Sequence, residues 1–315
     1  MNNAATALSA MFGPEAAPVP APNRDREIWI GLPKGGKTLG GSDEEFLLKA
    51  GFQTADKIER VDHYRLVDGP DFKDVGVRVF EMKPGDAVAN IADGMLDAAI
   101  AGGDVFQEFT YASRNIKGQM QPVRIGNLDL APCALAVAVR SDDVAQSPAD
   151  LNGRTIVTKY PSSVENWAKK NKISFAKIIE RNGGIENYGL LIGGAIIADM
   201  VESGRSLVAN DWRVLGMSEE MTGEIADGRT KFSSLSMDEM TGISGVIVAS
   251  RALVARTPKP MGDAKEKAFA TLMDRFKDAS SSMNREPQFW SLNFMKRRRR
   301  VDTRVGEIGH GFRHL

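Results

Sequence analysis

From residue 27 the chain alternates short apolar runs with stretches of helical period. Glu27–Leu32 reads as a strand and Pro33–Gly41 as a loop. Ser42 and Glu45 have the spacing of a capping box. The helix behind them presents Phe46, Leu47 and Ala50, and Gly51 ends it. Val75–Phe80 predicts a strand, Ala87–Ala92 a helix, Leu96–Ala101 a strand and Val105–Phe109 a helix. A hinge is expected near Leu130-Ala131-Pro132. Beyond it, strands are expected at Ala134–Val139, Thr155–Tyr160, Ile173–Ile179, Ala195–Val201 and Gly245–Ser250. Helices are expected at Val164–Lys170 and Leu207–Asp211. Ala264–Ser281 is amphipathic, with Phe269, Leu272, Met273 and Phe276 on one face.

Uniformly apolar strands alternating with helices predict an α/β fold with mainly parallel sheets. Two such series about a hinge predict two lobes. Ligands of open α/β sheets sit at the carboxyl ends of the strands, and the Gly-rich loops fall there.

Composition narrows the chemistry. The 315 residues, 42% hydrophobic and 26% charged, suit a globular chain of one large domain or two ordinary ones. Residues 1–26 hold seven Ala and four Pro without apolar periodicity, and read as a disordered extension. They lack the positive start and continuous apolar core of a secretory signal. No apolar run reaches the roughly 18 residues of a membrane span, so a cytoplasmic location is expected. The single Cys133 agrees with that, and excludes a disulfide framework or a thiolate zinc site within one chain. Three histidines, His63, His310 and His314, argue against a poly-histidine metal site or a Ser-His-Asp triad. Basic and acidic residues balance at 41 each, which gives no reason to expect nucleic acid. The balance is uneven, however. Residues 285–315 carry eight basic against three acidic residues, so a mildly acidic body bears a basic tail. That tail reads either as a solvated end or as a contact for a polyanion or partner.

Four constellations carry candidate chemistry. Lys34, in Leu32-Pro33-Lys34-Gly35-Gly36, follows a strand and could meet a phosphate as a point charge; an ordinary turn reads equally well. The segment Gly94–Asp104 ends in Gly102-Gly103-Asp104, where Asp104 is either a helix N-cap or a substrate contact. Thr158-Lys159-Tyr160-Pro161 offers a cation and a ring at a strand end, or else a core edge with a solvated lysine. The most informative is Asp199 in an apolar strand, followed by Ser203-Gly204-Arg205-Ser206-Leu207. Backbone N–H groups and serine hydroxyls at such a turn can cradle a phosphate, and the upstream acid can accept sugar hydroxyls. A tight loop with a capping serine is the plainer reading.

In this linear order the motifs resemble the ATP phosphoribosyltransferase family, over roughly residues 28–256. The resemblance implies two α/β lobes of the type II periplasmic-binding-protein fold, with substrates in the cleft between them. It implies a first lobe from 27–131 and 213–284, a second from 132–212 carrying the phosphoribosyl loop, and a tail at 285–315. The implied reaction joins ATP and phosphoribosyl pyrophosphate into N1-(5-phosphoribosyl)-ATP and pyrophosphate, the first step of histidine biosynthesis, with Mg2+. No protein nucleophile or dedicated carboxylate cage for the metal is implied. By match to the motifs, Ser203, Gly204, Arg205, Ser206 and Leu207 would hold the 5-phosphate and Asp199 would face the ribose. Lys34 would lie near the pyrophosphate, making Lys34, Asp199 and Arg205 the catalytic set. Gly102, Asp104, Lys159, Tyr160 and Glu186 would line the nucleotide side.

The chain departs from the family pattern at Gly36 (where Lys37 could substitute), at Ala195 in place of an acid, at Tyr188-Gly189 in place of Ala-Pro, and in a longer 213–243 connection. Residues 257–315 show no run of strands for a regulatory domain. A homo-oligomer working with a histidyl-tRNA-synthetase-like partner is therefore expected. The competing reading is a noncatalytic nucleotide or sugar-phosphate binding protein on the same fold.

Overall fold

The computed structural model describes residues 21–34, 43–53, 64–65, 67–128, 130 and 132–283. Ser42, Gly36, Lys37, most of the N-terminal extension and the basic tail lie outside these residues.

The chain begins with β1 (Glu27–Pro33), α1 (Asp43–Lys49), β2 (Tyr64–Arg65), β3 (Gly76–Met82), α2 (Pro84–Ala92), β4 (Ala98–Gly102), α3 (Gly103–Ser113) and β5 (Val123–Asn127). There follow β6 (Cys133–Arg140), β7 (Thr155–Thr158), α4 (Pro161–Lys170), β8 (Lys177–Glu180), α5 (Tyr188–Leu191), β9 (Ile196–Val201) and α6 (Arg205–Ala209). Then come β10 (Trp212–Val214), α7 (Glu219–Ala226), α8 (Met237–Gly242) and β11 (Val246–Ser250), and last β12 (Ala252–Arg256) and α9 (Asp263–Met283).

Two sheets form. The first runs β2-β3-β1-β4-β12-β5; the second runs β10-β6-β9-β7-β8, with β11 also on β6. The expected two-lobed α/β architecture is what the chain adopts. The sheets are mixed, though, rather than mainly parallel. β3-β1-β4 and β8-β7-β9 are parallel, while β12, β5, β6, β10 and β11 run against their neighbours. β5, β6, β11 and β12 flank the two crossovers, whereas β2, antiparallel to β3, and β10 are end strands of their sheets.

The first crossover follows β5, at the expected hinge. The second is a single residue, Arg251, between β11 and β12. The two lie side by side: Leu128 N–H donates to Ala252 O at 2.8 Å, and Gly103 N–H donates to Arg251 O at 3.0 Å.

The expected lobe boundary changes accordingly. Residues 213–250 belong to the second lobe, because β10 and β11 both pair with β6. An apolar run such as Val246–Ser250 suits either sheet, and β10 has only three residues to announce it. The end of the N-terminal extension is also held. Arg24 donates to Gly94 O at 3.3 Å, Lys265 donates to Arg24 O at 3.0 Å, and Gly76 N–H donates to Arg26 O at 2.9 Å.

The amphipathic face of α9 closes the first lobe. Phe269, Leu272 and Phe276 are buried among Ile28, Ile30, Phe46 and Phe52, each worth about 1.5–3 kcal/mol. The second lobe has a core on each side of its sheet. One is built on Trp212, Ile225 and Phe232, the other on Leu135, Tyr160, Val164 and Trp167.

Candidate functional site

Each parallel strand ends in a turn that starts a helix or loop, and the candidate residues are distributed over these corners. Lys34 directly follows β1, exposed, with its N–H on Met82 O at 2.9 Å. That places it at the carboxyl edge of the first sheet, in the lobe that does not carry the 203–207 turn.

The corner after β4 is closed. Gly102 is the N-cap of α3 and Asp104 stands inside the helix, so the expected capping role of Asp104 is not found. Gly102 needs no side chain there because Ser250 accepts the Asp104 N–H at 3.0 Å. The buried Asp104 carboxylate is itself fully engaged. Oδ1 accepts the Ser250 hydroxyl at 2.9 Å and Oδ2 accepts the Tyr160 hydroxyl at 2.9 Å. Burial, reinforced by the Asp104 charge, pushes the Tyr160 phenol far up, which keeps it a donor. Burial likewise pushes the Cys133 thiol up to about 12, with Asp104 adding to the effect, so no thiolate nucleophile is available here.

The corner after β7 places Lys159 outward and Tyr160 inward. Lys159 is exposed, with its ammonium 5.9 Å from the Tyr160 ring. Tyr160 is buried in the second lobe.

The corner after β9 is open. Asp199 lies in β9, opposite Ala136 of β6, and accepts Met200 N–H at 2.8 Å. Its carboxyl is held above the usual carboxylate range. Burial is the main cause and the Glu186 charge adds to it, while the Met200 N–H and Lys159 oppose. Asp199, Glu186 and Lys159 are thus brought into one electrostatic group. Ser203 Oγ accepts Arg205 N–H at 3.3 Å. Gly204 takes a left-handed φ of 80° as the N-cap of α6, a conformation that favours glycine. The first-turn amides of Ser206 and Leu207 have no acceptor within the helix. Ser206 is exposed and Leu207 is buried as an anchor.

The 213–243 connection braces this loop, which the sequence does not announce. Phe232 N–H donates to Ser203 O at 3.2 Å and Ser233 N–H to Glu202 O at 2.6 Å. A Cβ on Gly204 would stand 2.9 Å from Ile225 Cγ2. The Arg205 guanidinium lies over Gly228, just past α7. Trp212 explains another departure: its indole N–H donates to Glu186 O at 3.0 Å, and its ring occupies the space a side chain at Gly189 would need. Ala195, where the resemblance leads one to expect an acid, is buried in the second-lobe core.

A pocket of about 310 Å³ lies elsewhere, at the amino end of β4, lined by Arg24, Asp97, Thr257, Lys259 and Lys265 among others. Asp97 pairs with Lys265 at 3.0 Å and Arg24 at 3.5 Å, so two of its cations serve to fasten the N-terminal segment and α9. Among the described residues no group of three or more His, Cys, Asp or Glu could hold a metal ion, and no helix is long and apolar enough to cross a membrane.

Two mixed α/β lobes joined by a double crossover, with a Ser-Gly turn and an upstream acid at a strand end, define a two-lobed α/β protein. Residues 83–268 match the family described as HisG, ATP phosphoribosyltransferase. The chain belongs to the ATP phosphoribosyltransferase family. It is 28% identical over 190 residues to an ATP phosphoribosyltransferase of Stenotrophomonas maltophilia, over 60% of this chain and 59% of that protein. It is 29% identical over 154 residues to one from Ruminiclostridium cellulolyticum, over 49% of this chain and 67% of that protein. The match thus spans less than two thirds of the first relative's length. The fold is similar to the ATP phosphoribosyl transferase (HisG:HisZ) complex from Thermotoga maritima, with a TM-score of 0.51 and 16% identity, over 82% of this chain and 99% of that chain.

Proposed function

We propose that this chain transfers the phosphoribosyl group of phosphoribosyl pyrophosphate to N1 of ATP, giving N1-(5-phosphoribosyl)-ATP and pyrophosphate, the first step of histidine biosynthesis. The observation that carries the reading is the open corner after β9, in a chain of this family. There an acid, two serines and first-turn amides meet at one strand end. The 5-phosphate would take the amides of Ser206 and Leu207 with the Ser203 and Ser206 hydroxyls, and Arg205 would add charge. Gly204 gives the turn its left-handed step. Asp199 would accept the ribose hydroxyls.

The reaction breaks the bond between the anomeric carbon and pyrophosphate and forms one to adenine N1. The attacking group is the base itself, so the protein's work is orientation and stabilisation of leaving-group charge. Lys34 would meet the pyrophosphate from the first lobe. Lys159 and Glu186 would flank the nucleotide, while Asp104 and Tyr160 act behind it by holding the corners in place. Asp199 and Glu186 suit Mg2+ that arrives on a diphosphate, since that ion keeps waters and takes one or two carboxylates. The ion would supply charge neutralisation on the departing pyrophosphate.

A cytoplasmic setting, a homo-oligomer and a histidyl-tRNA-synthetase-like regulatory subunit belong to the same proposal. The similarity of the fold to a chain of the Thermotoga HisG:HisZ complex is in keeping with the last. The test is product formation from ATP, phosphoribosyl pyrophosphate and Mg2+, with and without such a subunit. Phosphoribosyl-ATP is expected. Tight binding of substrate with no product under either condition would instead establish the noncatalytic reading.

A further inference from the structure

Glu108 lies on α3, about one turn beyond Asp104, and its carboxylate reaches across to the second lobe. Oε1 accepts Ser162 N–H at 2.8 Å and Oε2 accepts Ser163 N–H at 2.7 Å. These are first-turn amides of α4, which lack acceptors in their own helix. α4 has no side-chain cap of its own and no acid in its first turn. A carboxylate on two N–H groups at the positive end of a helix is a two-point, charge-assisted contact.

The helix that carries it packs both ways. Phe106 of α3 joins the first-lobe cluster of Ile91, Leu96 and Leu253, while Val105 packs against the second-lobe cluster of Tyr160 and Val164. Lys159 and Tyr160 immediately precede α4. The Tyr160–Asp104 bond ties the same corner to the same helix at a second point.

We infer that Glu108 is a positioning residue that couples the two lobes. By capping α4 from the opposite lobe, it sets the angle at which the β7 corner, with Lys159, meets the first lobe. A merely local role makes a different prediction, since a simple cap would stabilise α4 and leave the lobe angle alone. The coupling concerns lobe geometry and stands apart from the proposed activity; only the kinetic readout below rests on that activity.

The experiment uses the full chain with Glu108→Gln and Glu108→Ala. Hydrogen exchange over residues 160–170, small-angle scattering and steady-state kinetics are measured on each. In Glu108→Ala the Ser162 and Ser163 amides are expected to exchange about tenfold faster. The radius of gyration should rise, and KM for phosphoribosyl pyrophosphate should rise more than kcat falls. Glu108→Gln, which keeps one acceptor oxygen, should lie between. It also carries the comparison should Glu108→Ala not fold. Faster exchange with unchanged scattering and unchanged KM would overturn the coupling and leave a simple cap. Unchanged exchange in both variants would overturn it as well. Absence of turnover in the unaltered chain would count against the proposed function, and exchange and scattering would still decide the coupling.

Discussion

The corners after β4 and β9 are written in one grammar and end in opposite states. Each is an apolar strand, a turn containing glycine and a helix start, with an acid nearby. After β4 the acid is consumed: Asp104 receives Ser250 and Tyr160, and both partners come from the second lobe or its border. After β9 the acid interacts with the charges of Glu186 and Lys159, and the amides of Ser206 and Leu207 have no acceptor within their helix. Residues 56 and 146 positions away decide the first case. A local motif therefore specifies a turn, and distant neighbours specify whether its polar groups are consumed in holding the hinge.

The largest expected effect comes from removing each acid in turn. On the proposed function, Asp199→Ala removes the acceptor proposed for the ribose hydroxyls and should lower phosphoribosyl-ATP formation by about 100-fold, with little loss of melting temperature. Asp104→Ala should do the reverse. It strands two buried hydroxyls at about 1–3 kcal/mol, a fall of roughly 5 °C, and should change substrate affinity far less. Kinetics and thermal melting on both variants check the pair. Normal melting with abolished binding in Asp104→Ala would show that the β4 corner is a ligand site after all.

The same comparison shows what was legible. The alternation of β1, β3, β4, β6, β7 and β9 with helices was readable because each strand is buried and each turn carries its glycine or proline. The amphipathic α9 was readable for its periodicity. The second crossover at Arg251 and the antiparallel β12 were not: the expected strand Gly245–Ser250 ends where β11 ends, but Ala252–Arg256 carries no turn residue or period that marks a return to the first sheet. The loop residues of the β9 corner could be named from their motif. Its brace could not, because Ile225, Phe232 and Trp212 act through packing across a connection without strong pattern. Tyr160 was legible as a ring at a strand end, but its inward turn depends on Asp104.

A smaller effect separates the two glycines. Gly204→Ala forces an L-residue to φ 80° and pushes its Cβ to 2.9 Å from Ile225, a strain of about 1–3 kcal/mol. Affinity for phosphoribosyl pyrophosphate should fall about tenfold, and Ile225→Ala in the same chain, which removes the Cγ2 methyl, should restore the part that comes from the clash. Gly102 has an extended φ of −67°, so Gly102→Ala disturbs only the Asp104 carboxylate beside it. It should lower the melting temperature and spare affinity. Titration calorimetry on the two variants distinguishes them, and equal affinity losses would dissolve the contrast between the corners.

The subtlest effect is in pH. Asp199 titrates above its ordinary value of 3.8, chiefly because it is buried, with Glu186 adding to the shift. The folded chain thus keeps this proton to a higher pH than the unfolded chain does. Between the ordinary value and the raised one, the folded state binds more protons, so its contribution to stability falls as pH rises and is flat beyond. Asp199→Asn removes that slope. The variant should therefore melt higher than the unaltered chain above the window and match it below. Ligand binding should show the opposite sign, because the ionised carboxylate is the better acceptor for ribose hydroxyls. The affinity of the unaltered chain should climb through the window relative to Asp199→Asn, and the ratio cancels ionisation of the substrate phosphate, which both chains share. Paired melting and binding titrations from about pH 4 to about pH 8 test this. If the two chains kept a constant difference in melting temperature across that range, Asp199 would ionise like a solvated carboxylate, and the β9 corner would lose the electrostatic character that sets it apart from the β4 corner.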